Sequence, residues 1–344
     1  MDFLKVDGSS GEGGGQILRM AVAFSAALSV PVKVTNIRSG RRQPGLKPQH
    51  AAALRILRDV FDADLLGDSE GSTEVEFTPG TPRQSSVSVD MKTAASVTLV
   101  LQAVVPAVSL AERGLHIELT GGTDVPWAPT LDYFSDVAAH AYRKIGIGLS
   151  VKSSRRGYYP VGGGHIEAAI EPSAGVVPLR SEEVAGPAVA TIVSRASLLP
   201  REVAERQAKA SSSLLARMGL RSLQAEVSSE TSASPGTSIL VRTSDGGRMI
   251  GGDSIGERGK PAEEVGEEAA MRYANAVKSG ASIDSYVADM VIPLLSLAKG
   301  ESFVRVPEAT MHLKTGLDLA AQFTGCKSTV EKSGPSCLVR VSPS

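Results

Sequence analysis

The sequence predicts an α/β protein: a large core of similar helix–strand–loop units with a smaller α/β segment set into it. Three observations carry that prediction. A helical pattern followed by a short apolar strand and a polar loop occurs three times along the chain. Aromatic residues make up 4% of a chain that is 42% hydrophobic, so Val, Leu, Ile and Ala must fill the core. Between Leu179 and Lys278 the composition changes, with dense serines (211–213 and 228–234) and charged helical patterns. These shifts give a large domain of residues 1–178 and 279–344 and an inserted small domain of residues 179–278, with the third unit resuming after it.

The elements follow in order. A strand pattern from Phe3 to Val6 leads into Gly11-Glu-Gly-Gly-Gly-Gln-Ile-Leu-Arg19, and a helix runs from Gln16 through Met20 and Phe24 to Leu28. Strand, glycine loop and helix start together make an anion site, because amides approach a phosphate where no Cβ intervenes and the helix N-terminus adds partial positive charge. Arg19 supplies a forked donor; Glu12 cannot bind phosphate and reads as a magnesium ligand or a reader of hydroxyls. The loop is neither a Walker A motif nor G-x-G-x-x-G, since Gln16 takes the third glycine position. A glycine-rich turn with a solvated carboxylate fits the same residues.

The strand Val32 to Ile37 ends in a turn-rich loop, and from Arg38 to Arg58 there are six Lys/Arg and no Asp/Glu. That loop suits polyphosphate or an RNA end, and also reads as a solvated basic face. The second pass is the helix Ala94 to Leu110, the strand Leu115 to Leu119 and the loop Gly121 to Asp124. Just beyond it Pro129 and Tyr133 stand at i and i+4 at a helix start, a geometry for a flat apolar slot or for an ordinary helix N-terminus. The glycine run Gly162 to Gly164 reads as a tight backbone crossing. In the inserted segment the strands are Val189 to Val193 and Thr237 to Val241, and the helices Arg201 to Met218 and Ala262 to Lys278. The third pass is the helix Tyr286 to Ala298, the strand Phe303 to Val306 and a loop reaching His312. Tyr286, Asp289 and Met290 share one helical face, where Asp289 faces either a site or solvent.

A formal net charge of −1 argues against nonspecific coating of nucleic acid and leaves room for a local basic groove. The longest apolar run, Val97 to Leu110, is broken by Gln102 and Pro106, so no membrane span is expected. No basic segment precedes the glycine loop, and Cys326 and Cys337 lack metal spacing; a cytoplasmic location with reduced thiols is the expectation. The histidines, at 50, 116, 140, 165 and 312, show no zinc-hydrolase spacing. His312 lies in a loop or short strand before the last helix, where it reads as a nucleophile, since neutral imidazole attacks phosphorus, or as an ordinary loop histidine.

In order along the chain, these segments resemble the RNA 3′-terminal phosphate cyclases. The resemblance rests on Gly11 to Arg19, Arg38 to Arg41, Pro44 to Leu46, Gln49-His50, Thr98 to Gln102, Gly121 to Asp124, Tyr159 to Gly164, Pro200 to Arg206, Gly256 to Glu264 and His312 to Thr315. It implies a large domain of three α/β units, each like the C-terminal domain of translation initiation factor three, with the small α/β domain inserted before the third. It also implies ATP-dependent conversion of an RNA 3′-phosphate to a 2′,3′-cyclic phosphate, through histidyl-AMP on His312 and an RNA-3′-pp-5′-A end. The implied cofactors are ATP and Mg²⁺ or Mn²⁺, with Glu12 near the metal, and the implied partner is an RNA 3′-phosphate end; the oligomeric state stays open, a homodimer being one option. Arg19, Arg38 and Arg41 are implied phosphate binders, with Gln49 and His50 nearby. Gln102, Pro129, Tyr133, Tyr286, Asp289 and Met290 surround the nucleotide, and Pro129 and Tyr133 form the adenine slot. Met290 stands where relatives commonly carry Gln, and Gly316 where many carry Asn. A related branch without the histidine acts in ribosomal RNA processing as a noncatalytic RNA binder; the presence of His312 favours the cyclase reading.

Overall fold

The computed structural model describes residues 2–110, 114–182, 187–244 and 246–344. The first unit comprises β1 (Leu4–Asp7), α1 (Gly15–Leu28), β2 (Val32–Thr35), α2 (Pro48–Phe61), β3 (Asp64–Leu66) and β4 (Val75–Thr78). A helical crossover returns the chain in the same direction, so β1 and β2 pair in parallel with Leu4 opposite Val32. The last two strands need only a short connection, and β4 pairs antiparallel with both β3 and β2. The sheet order is β1-β2-β4-β3. Period-two alternation puts Val32, Val34, Val75 and Phe77 on the buried face.

The second unit repeats this plan with β5 (Ser86–Asp90), α3 (Val97–Ser109), β6 (Leu115–Gly121), a π-helical stretch (Tyr133–Ala138) running into α4 (Ala139–Lys144), β7 (Leu149–Arg155) and β8 (Gly164–Ile170). Its order is β5-β6-β8-β7. The third unit opens with β9 (Arg180–Ser181) and is then interrupted by β10 (Val189–Ser197), α5 (Arg201–Arg217), β11 (Arg221–Ser222), β12 (Glu226–Ser229), β13 (Gly236–Thr243), β14 (Gly251–Ile255) and α6 (Ala262–Lys278). It resumes with α7 (Ser285–Val291), a 3₁₀ stretch (Ile292–Leu297), β15 (Ser302–Val306), α8 (Met311–Thr324), β16 (Lys327–Ser333) and β17 (Ser336–Ser342), giving the order β9-β15-β17-β16. All three sheets thus share one topology: a parallel first pair, then two antiparallel pairings.

Two elements differ from the sequence expectation. The insertion lies inside the third unit, after β9, and not before the unit; a two-residue strand has no alternation to read. The expected helix from Tyr286 to Ala298 is α-helical only to Val291, because Pro293 cannot donate to a continuing ladder. Of the inserted segment, residues 183–186 and 245 lie outside the described residues.

Two apolar cores result. One runs through all three units and includes Val22, Phe24, Val104, Phe134, Ile292 and Leu313; the other, with Ile192, Leu215, Val241 and Tyr273, belongs to the inserted sheet and its helices. Among the described residues no helix is long and apolar enough to cross a membrane.

A chain of charges joins the inserted sheet to the second unit. Arg156 Nη2 donates to Asp132 Oδ1 at 2.7 Å, and Arg195 Nε, from β10, donates to the other carboxylate oxygen at 2.8 Å. Arg156 also reaches Asp124 at 3.4 Å, and Arg195 reaches Glu230 at 2.7 Å. Burial pushes the Asp132 carboxyl up, but Arg156 and Arg195 outweigh it and hold the group below the usual carboxylate range. Removing one partner of a buried pair strands the other, so Asp132→Ala is expected to cost about 3–5 kcal/mol in urea denaturation. A loss below about 1 kcal/mol, the range of surface pairs, would show that the chain of charges does not tie the parts together.

Candidate active site

The glycine loop leaves the N-terminus of α1 open. Gly14 is the cap residue and no side chain caps the helix, so its first amides keep no side-chain acceptor. A Cβ on Gly15 would run into the buried His50 ring, and one on Gly14 would displace the Glu12 carboxylate from its place. His50 is buried, and its Nδ1 accepts from the Lys47 amide at 3.0 Å, so Nε2 carries the ring hydrogen where it lies against the loop. Burial first, then Arg19, Arg38 and Lys47, push its pKa down to about 3. His50 is therefore a neutral donor beside an anion site.

His312 is held from two helices. Thr310 caps α8, its Oγ1 accepting from the Leu313 amide at 2.9 Å and donating to Asp289 Oδ1 at 2.5 Å. His312 therefore sits in the first turn of α8 and not in the loop or short strand expected; the cap is a threonine without the Glu or Gln that completes a capping box, so the boundary was hard to see. The Gln16 amide donates to the carbonyls of Asp289 (3.2 Å) and His312 (3.3 Å), and the Glu12 amide donates to Thr315 Oγ1 at 3.3 Å. Glu12 Oε2 accepts from Arg41 Nη2 at 2.5 Å. Its other oxygen is buried without a hydrogen-bond partner among the described residues, 3.6 Å from His312 Nδ1. Burial pushes the His312 imidazole below 6.5; Glu12 opposes that shift, and Arg19 and Arg41 add to it. The ring is neutral at neutral pH, with Nδ1 toward Glu12 and Nε2 on the far side.

His312 borders three cavities. The first, about 160 Å³, is lined by Gln16, Arg19, Gln102, Pro129, Tyr286, Asp289 and Met290 among others. The second, about 1110 Å³, is basic, with Arg19, Arg38, Arg41, Arg42 and Lys47 beside Glu12, Gln49 and His50. The third, about 950 Å³, opens toward the insertion along Asp253, Arg258, Lys260 and Arg272. Arg38 is fixed in its loop by donating to the carbonyls of Gln43 (2.8 Å) and Gly45 (3.0 Å). Arg19 lines the first two cavities and has no hydrogen-bond partner among the described residues; burial pulls its pKa down to about 10, against Glu12 and Tyr142, so it stays charged. Burial pushes the Asp289 carboxyl up to about 7; Thr310 opposes this, and Asp284, Glu308 and Glu12 add to it.

Of the residues singled out in the sequence, Tyr133 alone lines none of these cavities. It is fully buried, its hydroxyl donates to Asp284 Oδ1 at 2.6 Å, and its ring meets Tyr286 edge-on at 5.9 Å. The expected slot of Pro129 and Tyr133 is therefore corrected: Pro129 and Tyr286 line the small cavity, and Tyr133 supports Tyr286 from beneath. Pro129 precedes the helical turns, so i,i+4 facing does not apply to it. Gln16, Thr310 and Trp127 were missed. A polar residue in the first turn of the apolar α1 pattern was a readable signal for Gln16, and Trp127 is the chain's single tryptophan.

A sequence model of the family described as RNA 3′-terminal phosphate cyclase matches residues 10–330. The RNA 3′-terminal phosphate cyclase of Pyrobaculum aerophilum is 42% identical over 333 residues, 96% of each chain. Those of Thermococcus kodakarensis and Pyrococcus furiosus are each 43% identical, over 96% and 97% of this chain and 95% and 98% of theirs. The chain belongs to the RNA 3′-terminal phosphate cyclase family. In this family member Met290 lines the small cavity. A Cβ on Gly316 would lie 2.6 Å from Pro293 Cγ, so a larger side chain there would have to displace that ring.

The His50 arrangement has a pH signature. Its folded pKa lies below the unfolded 6.5, so the unfolded chain binds the extra proton and stability is lost as pH falls from about 6.5 toward 3. The stability of wild type relative to His50→Gln should fall by roughly 1.4 kcal/mol per pH unit between about pH 6 and 4. A flat difference in denaturant melts across that window would mean that His50 is not held neutral.

Proposed function

We propose that this protein converts an RNA 3′-terminal phosphate into a 2′,3′-cyclic phosphate in an ATP-dependent reaction with His312 as nucleophile. The observation that carries the proposal is a neutral imidazole at the meeting point of a small, partly apolar cavity and a wide basic one. The names of the relatives support the overall reaction; the covalent route is inferred from the site.

The adenine of ATP enters the small cavity between Pro129 and Tyr286, and its phosphates extend toward Arg19, Arg38, Arg41 and the open amides of α1. His312 Nε2 attacks the α-phosphorus, forming an N–P bond as the bond to the pyrophosphate oxygen breaks. An RNA 3′-phosphate oxygen held in the basic cavity then attacks the same phosphorus and releases the imidazole. The ribose 2′-hydroxyl attacks the activated 3′-phosphorus, loses its proton and expels AMP. A phosphate monoester would otherwise have to expel oxide, and adenylylation gives it a leaving group. Glu12 fits a divalent cation: a buried carboxylate oxygen without a partner faces the site, and no group of three or more His, Cys, Asp or Glu side chains forms a metal cage among the described residues. One carboxylate plus substrate phosphates is the usual Mg²⁺ set. When bound, the ion neutralises triphosphate charge and eases pyrophosphate departure.

Intact-mass spectrometry after incubation with ATP and Mg²⁺ is expected to show an AMP-sized gain in wild type and none in His312→Ala. No gain in wild type with either Mg²⁺ or Mn²⁺ would replace this reading with a noncatalytic RNA binder. The rate of adduct formation should rise with pH and level off below pH 6.5, the ordinary imidazole midpoint, because the His312 pKa is lowered. Glu12→Ala should raise the Mg²⁺ concentration needed for half-maximal adduct; an unchanged requirement would remove Glu12 from the metal site.

A further inference from the structure

Trp127 has no place in the covalent route, yet its position is unusual. It is the chain's single tryptophan, it is 97% exposed, and its backbone is left-handed with φ 62°. A bulky residue rarely adopts that conformation, and a large apolar ring left uncovered gains nothing from the fold. The loop nevertheless holds it firmly: the Thr130 amide donates to buried Asp253 at 2.7 Å and the Leu131 amide to buried Asp124 at 3.3 Å. Like His312, Trp127 borders all three cavities. Tyr159, 67% exposed, borders the two larger ones. Exposed aromatic rings interleaved with arginines and lysines along a groove are the pattern that receives unpaired bases, since every base offers a π-face.

We propose that Trp127 is the platform on which the terminal base of a single-stranded RNA 3′ end stacks, setting the 3′-phosphate beside His312. The small cavity already has its own walls in Pro129 and Tyr286, and Trp127 stands at its rim, where the basic cavity of Arg38, Arg41, Arg42 and Lys47 begins. The charge there complements a phosphodiester chain. This inference rests on the proposed RNA substrate, but stacking requires no adenylylation, so the two can fail separately.

With one tryptophan in the chain, its fluorescence reports this ring alone. Titration without ATP should show quenching by a short 3′-phosphorylated oligoribonucleotide and markedly less by the same oligonucleotide with an abasic terminal nucleotide. Trp127→Ala should raise the KM for RNA about tenfold while changing kcat far less, and Trp127→Phe should recover most of the loss. Because the ring is exposed, truncation leaves the core intact. Equal quenching by the abasic oligonucleotide, quenching by ATP and Mg²⁺ alone, or an RNA KM unmoved in Trp127→Ala would each overturn the assignment. A protein that quenches with RNA but forms no AMP adduct would keep the platform and lose the cyclase reading.

Discussion

The site depends on the seam between α1 and α8. Neither unit holds the candidate site alone: the glycine loop and basic residues come from the first, His312 and Asp289 from the third. The Gln16 amide, donating to the carbonyls of Asp289 and His312, crosses that seam, and Glu12 crosses it again through its amide to Thr315. One comes from a side chain in the first turn of α1, the other from the backbone of the loop just before it. A shift of one helix along the other would therefore break the contacts that place Glu12 Oε1 at 3.6 Å from the imidazole. The repeated βαβαββ plan supplies the rigid parts, and the seam turns them into a site.

Around that seam, burial lowers the pKa of Arg19, His50 and His312 alike, and their different ordinary values decide which stays charged. Arg19 is partly buried and without a hydrogen-bond partner among the described residues, yet stays charged with a pKa near 10. His50 and His312 are pushed in the same direction, but from an ordinary value of 6.5, so they stay neutral at neutral pH. The groups suited to anions are therefore arginines and neutral N–H donors, and the proposed nucleophile stays unprotonated beside them. Asp289 lies between these cases: burial raises its carboxyl to about 7, so it is only partly ionised at neutral pH beside the small cavity.

The sequence made much of this legible, in proportion to how local the signal was. The glycine loop, the basic loop and the three helix–strand passes are contiguous patterns, and the Glu12, Arg19, Arg38 and Arg41 cluster follows from them. Pairings that depend on distant partners were not readable. Tyr133 matched an i,i+4 slot in sequence, but a buried tyrosine hydroxyl needs an acceptor, and Asp284, 151 residues away, supplies it. The first strand of the third unit is two residues long and lies on the far side of the insertion from its partner, Phe303–Val304. His312 was singled out for its chemistry, while its helix start, set by Thr310, was not. Trp127 stood out in sequence only as the single tryptophan, because exposure and backbone sign are three-dimensional properties.

The insertion is more than a segment spliced into the third unit. Its carboxylate Asp253, pushed above the ordinary carboxylate range chiefly by burial, accepts the Thr130 amide, and its Arg195 grips Asp132. Gly251, also from the insertion, donates to Asp284, which holds Tyr133 beneath Tyr286. The segment from Asp124 to Tyr133 is thus fixed from the inserted side at several points, and it carries Trp127 and Pro129 into the cavities. Motion of the insertion relative to the second unit would have to break buried, charge-assisted hydrogen bonds, which are stronger than the neutral ones they resemble. The inserted sheet consequently acts as a back wall: it lines one large cavity and sets the aromatic loop's distance from His312. A segment with its own apolar core thus sits within the third unit and helps to shape the candidate site.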